Sequence, residues 1–119
     1  MKKFDLIQIN KLLTGNALSI EIKSTSKKRR AFIKIKAYVP NGKMSKFLNA
    51  DKSNVRFLFR KYEIETKYIE NDLDVSEEEL YDAIFINNIQ SLNELEKEVS
   101  KYIDDFSNFD NEWKFDNPL

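Results

Sequence analysis

The sequence predicts a single α+β domain over residues 1–119, a mostly antiparallel β-meander with a C-terminal amphipathic helix packed on one face. Three observations support this fold class. The chain of 119 residues is 41% apolar and 34% charged, which is typical of a globular domain. Several segments in the first part of the chain alternate apolar and polar residues with a period of two. One late segment instead repeats apolar residues at helical spacing.

The N-terminal third contains one undecided segment and two predicted strands. Residues 4–9 form a short apolar stretch that fits a strand or a short helix. Residues 17–23 and 31–39 both alternate between apolar and polar side chains, as half-buried strands do. The polar and basic residues 24–30 between them suit an exposed turn. The two strands are therefore predicted to form a hairpin.

The middle of the chain combines strand-forming residues with turn signals. Residues 40–43, Pro-Asn-Gly-Lys, have the chemistry of a turn. Residues 55–70 are aromatic and β-branched and favour strand, with a bend or bulge near Lys61, where the alternation slips. Residues 71–74 favour a turn, and residues 76–79 have the Ser-to-Glu spacing of a capping box.

The last predicted elements are a strand and a helix. Residues 80–88 fit a strand or a helix, and strand is favoured. Ser91 and Glu94 have capping-box spacing at the start of a helix predicted over residues 92–106. Its apolar stripe consists of Leu92, Leu95, Val99, Tyr102, Ile103 and Phe106.

The composition excludes most catalytic chemistry. The chain has no histidine, no cysteine and only two glycines. Disulfides, thiolate metal sites, Ser-His or Cys-His catalysis and a glycine-rich phosphate loop are therefore excluded. The sequence predicts a binding protein rather than an enzyme, with no cofactor and no metal site. No apolar run is long enough to span a membrane and no targeting segment is visible, so a cytoplasmic location is expected.

The formal net charge of zero hides a strong asymmetry between the two halves of the chain. Residues 1–61 hold sixteen Lys and Arg against three acids, a net charge of +13, and residues 62–119 carry −13. Such an asymmetry points to a charged surface that binds a partner. The alternative is that the two halves pack together and neutralise each other.

A basic hairpin over residues 27–36 is the first candidate site. Lysine and arginine side chains lie in the predicted turn, and two more lysines share a strand face with Phe32 and Tyr38. Cations among aromatic rings suit nucleic acid, because cations bind phosphates and rings stack on bases. The alternative is a solvated turn and an outer sheet face whose lysines prevent aggregation. The candidate residues are Lys27, Lys28, Arg29, Arg30, Lys34 and Lys36.

An acidic surface on the last helix and the tail is the second candidate site. It can mimic phosphate and fill a basic cleft on a protein partner. The alternative is that exposed acids only keep the helix soluble and interact with its dipole. Trp113, with Phe109 and Phe115, either anchors a partner or completes the core, and core is favoured for these rings. The candidate partner-binding residues are Glu94, Glu98, Asp104, Asp105, Asp110, Glu112, Trp113 and Asp116.

These observations lead to two functional hypotheses. The first is an immunity or antitoxin-type inhibitor, whose acidic surface occludes the basic active site of a cognate bacterial toxin, such as a nuclease. A phage-encoded inhibitor of a bacterial defence system has the same expected features. The second is a nucleic-acid-binding module that uses the basic hairpin. The sequence leaves the target and the oligomeric state open.

Overall fold

One antiparallel sheet organises the protein. The computed structural model describes residues 3–38, 55–71 and 80–111. In chain order the elements are α1 (Leu6–Leu13), β1 (Leu18–Ile22), β2 (Arg29–Tyr38), β3 (Arg56–Glu65), α2 (Thr66–Glu70), β4 (Tyr81–Ile89), α3 (Leu92–Val99) and β5 (Asp110–Asn111). The sheet order is β4-β3-β2-β1-β5 and every strand pair is antiparallel. The predicted α+β meander with a late helix on the sheet is confirmed.

The main core lies on one face of the sheet, beneath α1 and α3. Alternation along β2 places Ile33 and Ile35 on this face, fully buried. Leu12 of α1 and Leu95 of α3 belong to the same buried cluster. The predicted hairpin of β1 and β2 is confirmed, and its register sets Ile20 of β1 opposite Ile33. The same alternation places Phe32, Lys34 and Lys36 of β2 on the opposite face of the sheet.

The undecided N-terminal segment is helix α1. Asp5 caps it by accepting a hydrogen bond from the backbone N–H of Gln8, and the Gln8 side chain accepts one from the backbone N–H of Asp5. The Gln8 side chain is buried and donates its amide hydrogens to the backbone carbonyls of Phe106 and Phe109. Helix α1 is therefore fixed by a distant part of the chain.

The predicted helix over residues 92–106 is shorter in the structure, because α3 ends at Val99. Its predicted N-cap is confirmed: Ser91 accepts a hydrogen bond from the backbone N–H of Glu94. Just after the helix, the backbone N–H of Tyr102 donates to the carbonyl of Val99, three residues earlier, so the chain continues there in a tighter turn. The Asp105 side chain then accepts from the backbone N–H of Ser107, a local bond that competes with helix.

The prediction of strand through residue 70 is wrong, because residues 66–70 form helix α2. Tyr68 and Ile69 of this helix pack against a second buried cluster, on the sheet face opposite the main core. That packing outweighs the strand propensity of these side chains. The second cluster consists of Phe32, Tyr62 and Ile64.

The irregularities of β3 and β4 agree with two further predictions. The bend expected near Lys61 is confirmed as a register shift between Lys61 and Glu63 in the pairing of β3 with β4. Strand was favoured for residues 80–88, and β4 confirms it. The turn expected at residues 40–43 and the capping box expected at residues 76–79 lie outside the described residues.

The C-terminal segment adds the short strand β5, which was not predicted. Asp110 and Asn111 pair with the edge strand β1. Just before them, Phe109 is buried, and its ring lies 5.5 Å from that of Phe4. The favoured placement of Phe109 in the core is therefore confirmed. In the described ranges, none of the helices has the length and apolar character required to cross a membrane.

Candidate functional site

The sheet face opposite the main core is basic over half of its length. Helix α2 and Leu80 cover the end that holds the second cluster. Four half-buried cations lie toward the other end of the same face, two on each of the central strands. We call these four residues the basic face: Lys34 and Lys36 of β2, and Arg56 and Arg60 of β3.

The strand register sets two of these cations directly against each other. Lys34 is the cross-strand partner of Arg60. Directly opposed side chains have Cβ atoms about 5 Å apart, and like charges in that position destabilise a sheet. Lys36 faces Leu58 and Arg56 faces Tyr38, so none of these register partners on β2 and β3 is acidic.

Arg60 has an unusual environment for an arginine. Its Nε is buried and takes part in no hydrogen bond. Its guanidinium lies 5.3 Å from the ring centroid of Phe85, the residue that faces it on β4. Phe85 itself is 40% exposed. Lys34, Arg60 and Phe85 thus form one row across three strands, with two charges followed by an open aromatic ring.

A second aromatic side chain borders this row. The hydroxyl of Tyr38 accepts a hydrogen bond of 2.9 Å from the backbone N–H of Asn88, so Tyr38 reaches from β2 across β3 to β4. Asn88 has φ of 61°, a left-handed conformation that asparagine tolerates better than most residues. This local irregularity of β4 fixes the Tyr38 side chain at the far end of the basic face.

The structure divides the six cations of the predicted basic hairpin. Lys34 and Lys36 belong to the basic face, whereas Lys27 and Lys28 are exposed in the turn between β1 and β2. The other two, Arg29 and Arg30, contact carboxylates.

Two arginines at the start of β2 are neutralised by acids. Arg30 makes a bidentate pair with Glu21, at 2.8 and 2.6 Å. The Nε of Arg29 lies 3.8 Å from a carboxylate oxygen of Glu63, and its guanidinium lies 4.3 Å from the ring centroid of Tyr81. These pairs hold the hairpin in place and reduce the positive charge of its turn.

The predicted acidic surface is engaged in local contacts on the helical side of the protein. Glu94 accepts from the backbone N–H of Gln90, and Glu98 pairs with Lys101 at 3.0 Å. Hydrogen bonds from Ser107 hold the pKa of Asp105 below its usual value. Asp104 is exposed. Asp110 pairs with Lys11 at 2.9 Å, and Glu112, Trp113 and Asp116 lie outside the described residues.

The sequence reasoning missed three residues of the basic face and its border: Arg56, Arg60 and Phe85. A signal for the first two was present, because alternation along residues 56–60 places Arg56, Leu58 and Arg60 on one face. No pattern in the sequence predicted that Phe85 would lie at this site. Its position beside Arg60 depends on the register of β4, which contains bulges.

Fold and site together define a small α+β protein whose sheet has α1 and α3 on one face, and α2 and the basic face on the other. Among the described residues, no group of three or more acidic side chains is placed to hold a metal ion. A scan against protein-family models and searches of curated proteins and of solved structures found no match to this chain.

Proposed function

We propose that this protein binds nucleic acid through the basic face. The observation that carries the proposal is the opposition of Lys34 and Arg60 beside the exposed ring of Phe85. Phosphate is an anion that nucleic acid supplies in a regular series, and this cluster of cations beside an open ring suits it.

We expect electrostatic attraction between phosphates and the basic face to drive association with the nucleic acid. The four cations neutralise phosphates and displace the counterions condensed on the nucleic acid, so release of those counterions drives association and makes the affinity depend on salt. Backbone contacts of this kind position a nucleic acid without reading its sequence. A chain without histidine and cysteine suits such a binding role. The proposal includes a cytoplasmic location, where nucleic acid is accessible.

The test compares two double variants that remove the same charge from different surfaces. We expect Lys36→Gln with Arg60→Gln to weaken binding of a fluorescent oligonucleotide and to lower the salt slope by about two units, about one per lost phosphate contact. The control is Lys97→Gln with Lys101→Gln, which alters lysines on or just after α3. It should leave the slope nearly unchanged. Fluorescence anisotropy over a salt series measures both.

Equal slopes for the wild type and the folded Lys36/Arg60 variant would overturn the proposal. Circular dichroism of both variants establishes that they are folded. Unfolding of the Lys36/Arg60 variant is not expected, because both residues lie outside the buried core and such substitutions usually change stability little.

The second candidate function is the acidic inhibitor of a basic protein partner. The observation that favours it is the position of Glu94 and Glu98, one turn apart on α3, which covers the sheet face opposite the basic face. Asp104 and Asp105 follow in the exposed segment after the helix. A basic partner, such as a bacterial toxin with nuclease activity, would associate with this side by electrostatic attraction.

A further inference from the structure

We infer that the basic face takes single-stranded rather than double-stranded nucleic acid, with Phe85 as the ring on which a base stacks. This inference rests on the proposed function. It adds the form of the nucleic acid, and it assigns a role to a side chain whose importance the sequence did not reveal.

The first argument comes from the exposure of Phe85. Phe85 is 40% exposed and its ring lies beside the guanidinium of Arg60. A base stacked on this ring would cover apolar surface that is now in contact with water. Stacking on exposed aromatic side chains is how proteins bind unpaired bases.

The second argument comes from the order of groups across the sheet. Lys34 and Arg60 are adjacent in register, and Phe85 follows on the edge strand β4. Phosphates of a strand that crosses this row meet the two cations, and its bases are directed toward the ring. In a duplex the bases are stacked on each other, so the same row would contact phosphates only and the ring would remain unused.

The third argument is the pairing of Arg60 with Phe85. The guanidinium lies 5.3 Å from the ring centroid, so the charge and the ring form one contact. A bound phosphate supplies an acceptor on the cationic side of this pair, and a base supplies a planar partner for the open side of the ring. One nucleotide with an unpaired base can therefore contact both groups.

The experiment measures binding of a short labelled oligothymidylate and of a duplex of the same length to the full chain. We expect the wild type to prefer the single strand. Phe85→Leu should weaken single-strand binding about tenfold, because stacking contributes roughly 1–3 kcal/mol per base. It should change duplex binding less than twofold. Phe85→Tyr keeps the ring and should retain most of the affinity.

Tyr81→Leu is the matched control, since Tyr81 is an exposed ring of the same strand, 43% exposed, that faces Glu63 instead of the basic face. It should leave the preference for the single strand intact. Equal affinity for both nucleic acids, together with no effect of Phe85→Leu, would overturn this inference while leaving the proposed function standing. Absence of binding to either nucleic acid would instead overturn the proposed function itself.

Discussion

At the scale of single residues, Glu63 best shows how the chain uses a buried charge. Its side chain is almost fully buried, at 1% exposure. One carboxylate oxygen accepts from the backbone N–H of Thr25 at 3.1 Å and from its hydroxyl at 3.0 Å. Arg29 lies 3.8 Å away. Glu63 therefore joins β3 to the turn between β1 and β2, and it balances one cation of the predicted basic hairpin.

We expect Glu63→Gln to lower the free energy of unfolding by about 2 kcal/mol, in the range found for hydrogen bonds to charged groups. The substitution keeps the size of the side chain but removes the charge that Arg29 and Thr25 face. Urea denaturation measures the change. Glu21 pairs with Arg30 and is more exposed than Glu63. We therefore expect Glu21→Gln to lower the free energy of unfolding by less than about 1 kcal/mol. Equal effects of the two substitutions would contradict the role given to Glu63.

At the scale of elements, α3 shows how an apolar stripe fixes a short helix. Leu95 and Val99 are fully buried, four residues apart, and face the main core. The N-cap at Ser91 satisfies one backbone N–H group of the first turn. A helix of eight residues is only marginally stable alone, so its packing on the sheet supplies most of its stability.

Leu95→Asp should abolish folding, because it combines a lost apolar contact with a buried unpaired charge. Together these costs approach the roughly 5–15 kcal/mol that stabilises a whole domain. The matched control is Asn93→Asp. It places an acid at an exposed position in the first turn, where the acid interacts favourably with the helix dipole. Circular dichroism should show a folded control and an unfolded Leu95 variant. A cooperative, native-like transition for Leu95→Asp would contradict this account of the core.

At the scale of the whole molecule, ion pairs join the basic half of the chain to the acidic half. Among the ion pairs between described residues, Lys11–Asp110 and Arg29–Glu63 link the basic half to the acidic half. Others lie within one half: Arg30–Glu21, Lys67–Glu65 and Lys101–Glu98. The opposite charges of the two halves are therefore partly neutralised where these two pairs form.

Reversal of acidic charge tests the second candidate function. Changing Glu98, Asp105 and Glu112 together to lysine should leave the fold intact, because Glu98 and Asp105 lie outside the buried core and surface substitutions usually change stability by less than about 1 kcal/mol each. The association rate with a basic protein captured from native lysate should fall and lose its dependence on salt. An unchanged rate in the folded triple variant would contradict the acidic inhibitor, and nucleic-acid binding through the basic face would be unaffected.

The sequence by itself determined the features that arise from local order. Alternation predicted β1 and β2 and their hairpin, and the serine with its following glutamate predicted the start of α3. These patterns were sufficient to predict the elements because the hydrophobic periods of strands and helices involve only neighbouring residues. The candidate site was determined in part: Lys34 and Lys36 were correctly placed on the polar face of a strand.

Only the tertiary structure decided what depends on residues far apart in the chain. Residues 66–70 became a helix because the second cluster offered a surface for Tyr68 and Ile69. Helix α1 is held by carbonyls of Phe106 and Phe109. The row of Lys34, Arg60 and Phe85 exists because three strands meet in a particular register. Register follows from the burial of one whole sheet face, and no single segment of sequence contains that information.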